Sequence, residues 1–199
     1  MSQLKLTADS GGGTVAIKGP ASTTGNAAIE LTVPGTGNAT LLTSATSTGK
    51  ILQVVTDIKK DVSSFTTSNS FAATGMSVTI TPQSASNKLL VIANLSVGNS
   101  SNNSTQWKLY RGTSEITAAN STGVTNKSFL WLYIPQSGDN PTYMNAICSG
   151  VYEHDIQDTN SHEINLYVNS FNSTAYLNRR GYSADYGGTS SLVVMEVAG

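Results

Sequence analysis

The stretch KLLVIANLSV, residues 88–97, decides the fold of this chain. Its aliphatic residues recur at every second position, which in an extended strand places them all on one face. The same alternation returns in residues 163–170 and 191–197. Period-two alternation between turn-forming residues is typical of strands with one face in a core. The chain is therefore predicted to bury one side of several strands against another sheet.

Runs of this kind follow one another from residue 51 to the C-terminus. No stretch keeps a helical apolar period over ten or more residues. Strands separated by turn signals every roughly 8–12 residues predict an all-β, antiparallel β-sandwich, jelly-roll-like in its connections. The predicted strands are residues 51–56, 62–67, 76–81, 88–97, 106–110, 128–134, 143–151, 163–170, 174–178 and 191–197.

Residues 1–50 differ in composition from the rest. All 14 aromatic residues lie at or after Phe65, so this segment lacks the bulky side chains needed to offset the entropy of ordering. Short alternating runs at 4–6, 15–18 and 29–33 predict thin strands before a Ser/Thr/Gly linker at 42–50. We expect residues 1–50 to be an attachment segment that orders only with partners, and 51–199 to be a head that folds alone.

The composition narrows the classes of partner. Charged residues make up 12% of the chain and the net charge is −1, so solubility rests on 27 Ser, 25 Thr and 17 Asn. No more than two Lys or Arg residues are adjacent, and because binding to nucleic acid needs clustered cations, no nucleic-acid partner is expected. No apolar run approaches the ~18 residues of a membrane span, so no membrane insertion is expected. The single cysteine, Cys148, excludes an intrachain disulfide and is predicted to be a buried small residue.

Ionisable residues concentrate at Glu153, His154, Asp155, Asp158, His162 and Glu163. The spacing matches neither an EF-hand nor a zincin helix, so we predict a solvated loop and expect no metal and no cofactor, although a cation there stays an alternative.

No Gly-x-Ser-x-Gly elbow exists, so no enzyme is expected. The distant alternative is a carbohydrate-active enzyme that uses Glu153 or Glu163.

A polar, Gly-rich segment, residues 178–188, precedes the last predicted strand. Loops on rigid sheets often carry recognition, and tyrosine offers flat apolar area together with a hydroxyl. The predicted binding residues are Arg179, Arg180, Tyr182 and Tyr186, with a surface glycan or protein as the ligand; the alternative is that the tyrosines pack at strand edges or between subunits. Trp107 and Trp131 are predicted to be core or interface anchors.

Three stretches of the head resemble a class of bacteriophage virion proteins, mostly tail-fibre-like C-terminal domains. They are GMSVTITPQSASNKLLV at 75–91, WKLYRGT at 107–113 and SLVVMEV at 191–197. The opening GTVAIKGPA, residues 13–21, is similar to the strand-and-linker segments that precede fibre heads. In such proteins the Thr-Pro-x-Ser-Ala-Ser-x-Lys turn joins two strands.

The resemblance implies a structural protein of the virion, assembled in the host cytoplasm. The expected function is that of a short tail fibre or fibre tip whose head contacts a host surface glycan or protein. The alternative is a capsid decoration protein or head fibre anchored by its N-terminal arm. In either case we expect a homotrimer, with residues 1–50 attached to other tail or capsid proteins.

Overall fold

The structure, a computed structural model, describes most of the head and two short strands before it. The described residues are 3–7, 14–18, 50–134 and 144–199. The chain divides into two compact units, residues 1–43 and 44–199.

The first unit contains an antiparallel hairpin. Strands β1 (Gln3–Thr7) and β2 (Thr14–Lys18) pair in register over five residues each. They correspond to the first two alternating runs predicted near the N-terminus. The third run, 29–33, and the linker up to residue 49 lie outside the described residues.

The second unit is built from eleven described strands. Their bounds are β3 Ile51–Lys59, β4 Ser63–Thr67, β5 Ala72–Ile80, β6 Lys88–Asn99, β7 Ser104–Arg111, β8 Ser114–Glu115, β9 Leu130–Tyr133, β10 Ala146–Asp155, β11 His162–Asn169, β12 Ser173–Leu177 and β13 Ser190–Val197. All ten strands predicted for the head are present, with ends that differ by up to four residues where described. The two-residue β8 and a 3-10 turn at Thr117–Ala119 were not predicted.

Two antiparallel sheets pack against each other. The first sheet has the strand order β3-β13-β6-β10, and the short pair β12-β4 continues beside β6 beyond the end of β13. The second sheet has the order β5-β11-β7-β9, with β8 also paired to β7. Along the chain, β3, β5, β6, β7, β9, β10, β11 and β13 visit the two sheets in the sequence of a jelly roll. The predicted all-β sandwich is therefore confirmed.

The core lies between the sheets and follows from the alternation of the strands. Leu89, Val91 and Leu95 of β6 are completely buried, as are Leu109 and Trp107 of β7 on the opposite sheet. Trp107 is the largest fully buried side chain, and its indole N–H donates to Thr105 Oγ1 at 3.1 Å. The prediction that Trp107 is a core residue is confirmed.

A buried carboxylate ties the turn at residues 81–87 to the last strand. Glu196 of β13 accepts hydrogen bonds from Gln53 Nε2 at 2.6 Å, the backbone N–H of Gln83 at 2.7 Å and Asn87 Nδ2. Burial alone would raise the pKa of Glu196, but the hydrogen bonds from Asn87, Gln53 and the backbone outweigh it and lower the pKa. The Glu196 clamp therefore holds together two of the three stretches on which the resemblance rests.

Candidate functional site

The loop between β12 and β13 carries the predicted binding residues, and its base is fixed by buried hydrogen bonds. Asn178 donates from its backbone N–H to Ser96 O at 2.8 Å, and from Nδ2 to the carbonyls of Lys59 and Asp61. Ser190 Oγ donates to Asn178 Oδ1 at 2.7 Å. Both ends of the loop are thus attached to the first sheet.

The structure brings three of the four predicted residues together. The Arg180 guanidinium lies over the Tyr186 ring at 4.2 Å and 5.8 Å from the centre of the Tyr182 ring. Arg180 also donates to Ser183 Oγ. Tyr182 and Tyr186 are exposed, so this cluster presents two aromatic rings around one cation at the surface.

Arg179 is directed away from that cluster. Its guanidinium lies 4.2 Å from the centre of the Tyr176 ring and donates to the carbonyl oxygens of Arg180 and Gly181. Its hydrogen-bonding capacity is therefore used largely in holding the loop. The loop crosses Gly98 of β6, where an added Cβ would overlap the backbone of Arg179 and Arg180.

The ionisable cluster lies in strands, and the alternation separates its members. Glu153 and Asp155 of β10 are exposed and pair with Lys88, while the intervening His154 is half-buried. His162 opens β11 and is completely buried. The prediction of a solvated loop is wrong for these four residues, because β10 extends to Asp155 and β11 begins at His162.

Asp158 connects the cluster to the second sheet. Its carboxylate accepts from Arg111 at 2.8 Å and lies 3.2 Å from His162 Nε2. The hydrogen bond from Arg111 and that from the Asn160 backbone lower the pKa of Asp158 to about 2. His154 Nε2 and His162 Nδ1 are buried and have no hydrogen-bond partner. The described residues contain no group of three His, Cys, Asp or Glu side chains that could together hold a metal ion.

Cys148 of β10 is buried, as predicted. Burial raises the pKa of its thiol to about 11, so the thiolate is absent at neutral pH. This cysteine therefore offers no nucleophile.

A groove on the outside of the second sheet, which we call the Trp131 groove, was not predicted. Its volume is about 640 Å³, within the range of roughly 300–1,000 Å³ that is usual for ligand pockets. It is lined by Asn103, Ser104, Gln106, Trp131 and Phe171, and by five residues of the connection 121–128. Trp131 is 58% exposed, so it is not a core residue, and its other predicted role, as an interface anchor, stays a prediction.

Strand pairing builds one wall of the groove. Trp131 of β9 lies opposite Gln106 of β7, and both face away from the core because their neighbours Leu130 and Trp107 face into it. Trp131 and Tyr133 share that outer side, with ring planes 9° apart and centres separated by 6.2 Å. The two rings form an exposed, nearly parallel aromatic surface.

Hydrogen bonds position the rest of the groove. Gln106 Nε2 donates to Asn126 O at 3.0 Å, which fixes the 121–128 connection against β7. Asn103 Nδ2 donates to Phe171 O at 2.6 Å and thereby holds the turn between β11 and β12. The groove is thus preformed by the fold.

The outside of the first sheet has the opposite character. We call it the aliphatic face and define it by Val54, Ile58, Leu90, Ile92, Val151, Val193 and Met195. Val151, Ile92 and Val193 are direct cross-strand neighbours, and Leu90, Met195 and Val54 form the next row. Val54, Ile58 and Val151 are 53%, 55% and 61% exposed, respectively.

The chain matches no protein-family model, and no curated protein is significantly similar to it in sequence. Among the described residues, no helix is both long and apolar enough to cross a membrane. A proposal of function therefore rests on the surfaces of the sandwich and on the resemblance of the three head stretches.

Proposed function

We propose that this chain is a structural protein of a bacteriophage virion, with an adhesive head at a short tail fibre or fibre tip. Fold analogy supports the proposal, because jelly rolls occur in viral capsid and lectin domains. The resemblance supports it as well. Its turn at 81–87 and its terminal strand meet at the Glu196 clamp, so those stretches belong to one structural unit.

The observation that carries the proposal is the contrast between the two outer faces of the head. The aliphatic face suits contact with protein, because contiguous apolar surface on a sheet is costly to leave in water. The outer face of the second sheet carries exposed rings and side-chain amides, which suit reversible contact with a polar surface. One face for assembly and another for adhesion is the arrangement that a fibre head requires.

We assign the aliphatic face to contact between copies of this chain in a homotrimer. Three of its seven apolar side chains are more than half exposed and the other four are partly exposed, which together offers on the order of 300 Å² of apolar area, about the size of a functional surface patch. The charged residues Lys88, Glu153 and Asp155 lie at its rim and already pair with one another. Identical copies can therefore approach over the aliphatic centre without repulsion between like charges.

A charge placed in the aliphatic face tests this assignment. Val151→Lys is expected to convert the trimer to monomers in sedimentation, because a buried unpaired ammonium is strongly unfavourable. Thr79→Lys is the control, since Thr79 is an exposed residue on the other sheet. A wild-type chain that sediments as a monomer at micromolar concentration would refute the trimer.

The attachment segment would join the head to other virion proteins. The β1–β2 hairpin is its described part, and an isolated two-stranded hairpin is marginally stable in water. Such a hairpin gains stability when further strands extend it or when a partner covers it.

Electron microscopy of particles labelled with an antibody against the head tests the virion proposal. Label at the tail is expected for a fibre or fibre tip. Label over the capsid would replace this assignment by the alternative, a decoration protein or head fibre. Particles without label, in a preparation where the chain is expressed, would overturn the virion proposal altogether.

A further inference from the structure

We infer that the Trp131 groove binds a neutral oligosaccharide. This inference rests on the proposed adhesive function and names the ligand class of the adhesive face. Four properties of the groove bear on it: the charge of its lining, its hydrogen-bonding groups, its exposed ring and its preformed shape.

The described lining of the groove carries no charge. The ten lining residues that the structure describes are all Ser, Thr, Asn, Gln, Val, Phe or Trp. A phosphate, a sulfate or a carboxylate held in the groove would meet no cation to compensate its desolvation. Lys127 is nearby in sequence, but it lines the adjacent depression with Lys108 and Glu115 and not the groove. The ligand that fits best is therefore uncharged.

The hydrogen-bonding groups of the groove match hydroxyl groups. Hydroxyls and amides both donate and accept, as the hydroxyls of a sugar do. The side chains of Thr125 and Asn126 make no hydrogen bond within the described part of the chain, so their donors and acceptors are available to a ligand. Gln106 is held by its bond to Asn126 O, which orients its carbonyl oxygen in advance.

Trp131 supplies a flat apolar surface beside these polar groups. The two tryptophans of the chain differ sharply: Trp107 is fully buried, whereas Trp131 is 58% exposed and lines the groove together with the exposed Val124. The C–H face of a pyranose ring is apolar while its rim is hydroxylated. Stacking of that face on the indole, with the rim toward the amides, satisfies both kinds of surface at once.

The first experiment presents the full-length chain to a glycan array with neutral, sialylated and sulfated saccharides. Binding to neutral oligosaccharides is expected, and it should weaken at least about tenfold in Trp131→Ala, since exposed aromatic anchors dominate such contacts. Lys127→Ala is the matched control and should bind as wild type. Unaltered thermal melting of Trp131→Ala would show that the fold is intact.

Acrylamide quenching of tryptophan fluorescence locates the binding. A neutral oligosaccharide that the array identifies as a ligand should, when added in solution, protect Trp131 of the wild-type chain from the quencher. The fluorescence of the buried Trp107 should be insensitive to the quencher with or without the saccharide. In Trp131→Phe the protection should disappear. Tyr186→Ala changes the Arg180 cluster and should leave the protection intact.

Three outcomes would overturn the inference: binding only to acidic glycans, neutral binding that persists in Trp131→Ala, or no binding to any saccharide. The failure of the broader proposal is distinguishable from these. If the purified full-length chain competes with particles for adsorption to host cells while the array is silent, the adhesive function stands with a protein receptor. If the chain neither binds a saccharide on the array nor competes with particles for adsorption, both proposals fall.

Discussion

The two outer faces of the sandwich share one core but differ in almost every other respect. The aliphatic face has two rows of Val, Leu, Ile and Met that each cross three strands, one from β10 through β6 to β13 and the other from β6 through β13 to β3. The second sheet carries Trp131, Tyr133, Gln106 and Asn169 on its outside, together with stacked Tyr110 and Tyr167 rings 3.9 Å apart. Because side chains alternate along each strand, each outer face can change without changing the core.

The contrast separates two kinds of energy. The aliphatic side chains gain free energy whenever water is removed from them, whatever the shape of the surface that covers them. The rings and amides of the other face gain free energy only with a ligand whose polar groups match theirs. Experiments that disturb one face and spare the other therefore measure whether assembly and recognition are independent.

The largest effect is expected from the core beneath both faces. Trp107→Ala removes the largest fully buried side chain and should reduce the free energy of unfolding by about 3–5 kcal/mol in urea denaturation. The same substitution at the exposed Trp131 should change it by less than about 0.5 kcal/mol. Equal losses in the two variants would contradict the placement of these rings.

A smaller effect is expected at the Glu196 clamp, which belongs to the first sheet. In Glu196→Gln, one acceptor oxygen becomes an NH₂ group facing the donors of Gln53, Gln83 or Asn87. The predicted loss is about 1–3 kcal/mol of unfolding free energy, measured with urea. Glu163→Gln is the control, because Glu163 is exposed on β11. A variant as stable as wild type would show that the clamp contributes nothing.

The smallest effect concerns mild acid. Burial, followed by the nearby His162 and the charge of Arg111, lowers the pKa of His154, while Asp155 acts in the opposite sense. His154 therefore binds a proton more readily in the unfolded chain than in the folded one. Its contribution to the free energy of unfolding is fully present above pH 6.5 and is lost as the pH decreases through the folded pKa. We expect the urea midpoint to decrease modestly from pH 7.5 to 5.

His154→Gln should remove most of that pH dependence. Because none of the described residues that line the Trp131 groove is titratable, saccharide binding should stay constant over the same pH range as long as the head is folded. Binding that declines in parallel with a titration near neutral pH would contradict a neutral, uncharged site.

The sandwich was predictable because its strands alternate cleanly between turn residues. In β6, β11 and β13 most of the inward-facing residues are aliphatic, so the alternation in the sequence identifies which face of each strand is buried. Strand ends were less predictable. Strand β10 continues through Glu153, His154 and Asp155, whose polarity resembles that of a loop although cross-strand pairing to β6 includes them.

The groove was not predictable from the same pattern. Residues 129–134, FLWLYI, are apolar at every position, so alternation cannot tell whether Trp131 or its neighbours face the core. Only the register with β7 decides it, since Leu130 lies opposite Trp107 and Trp131 opposite Gln106. The positions of Arg180, Tyr182 and Tyr186 in a loop were predictable, because a polar segment rich in glycine and tyrosine is typical of an exposed loop. Their role in binding stays a prediction.

The anchoring of the β12–β13 loop has a consequence for variation. Asn178 and Ser190 close the loop at its base through buried hydrogen bonds to each other and to Ser96. The fold therefore depends on the two end residues, and on Gly187 beside the backbone of Asn178, more than on the loop tip at residues 182–186. A foreign peptide grafted into that tip should be displayed without unfolding the scaffold, and natural descendants of this chain can diversify there at little cost.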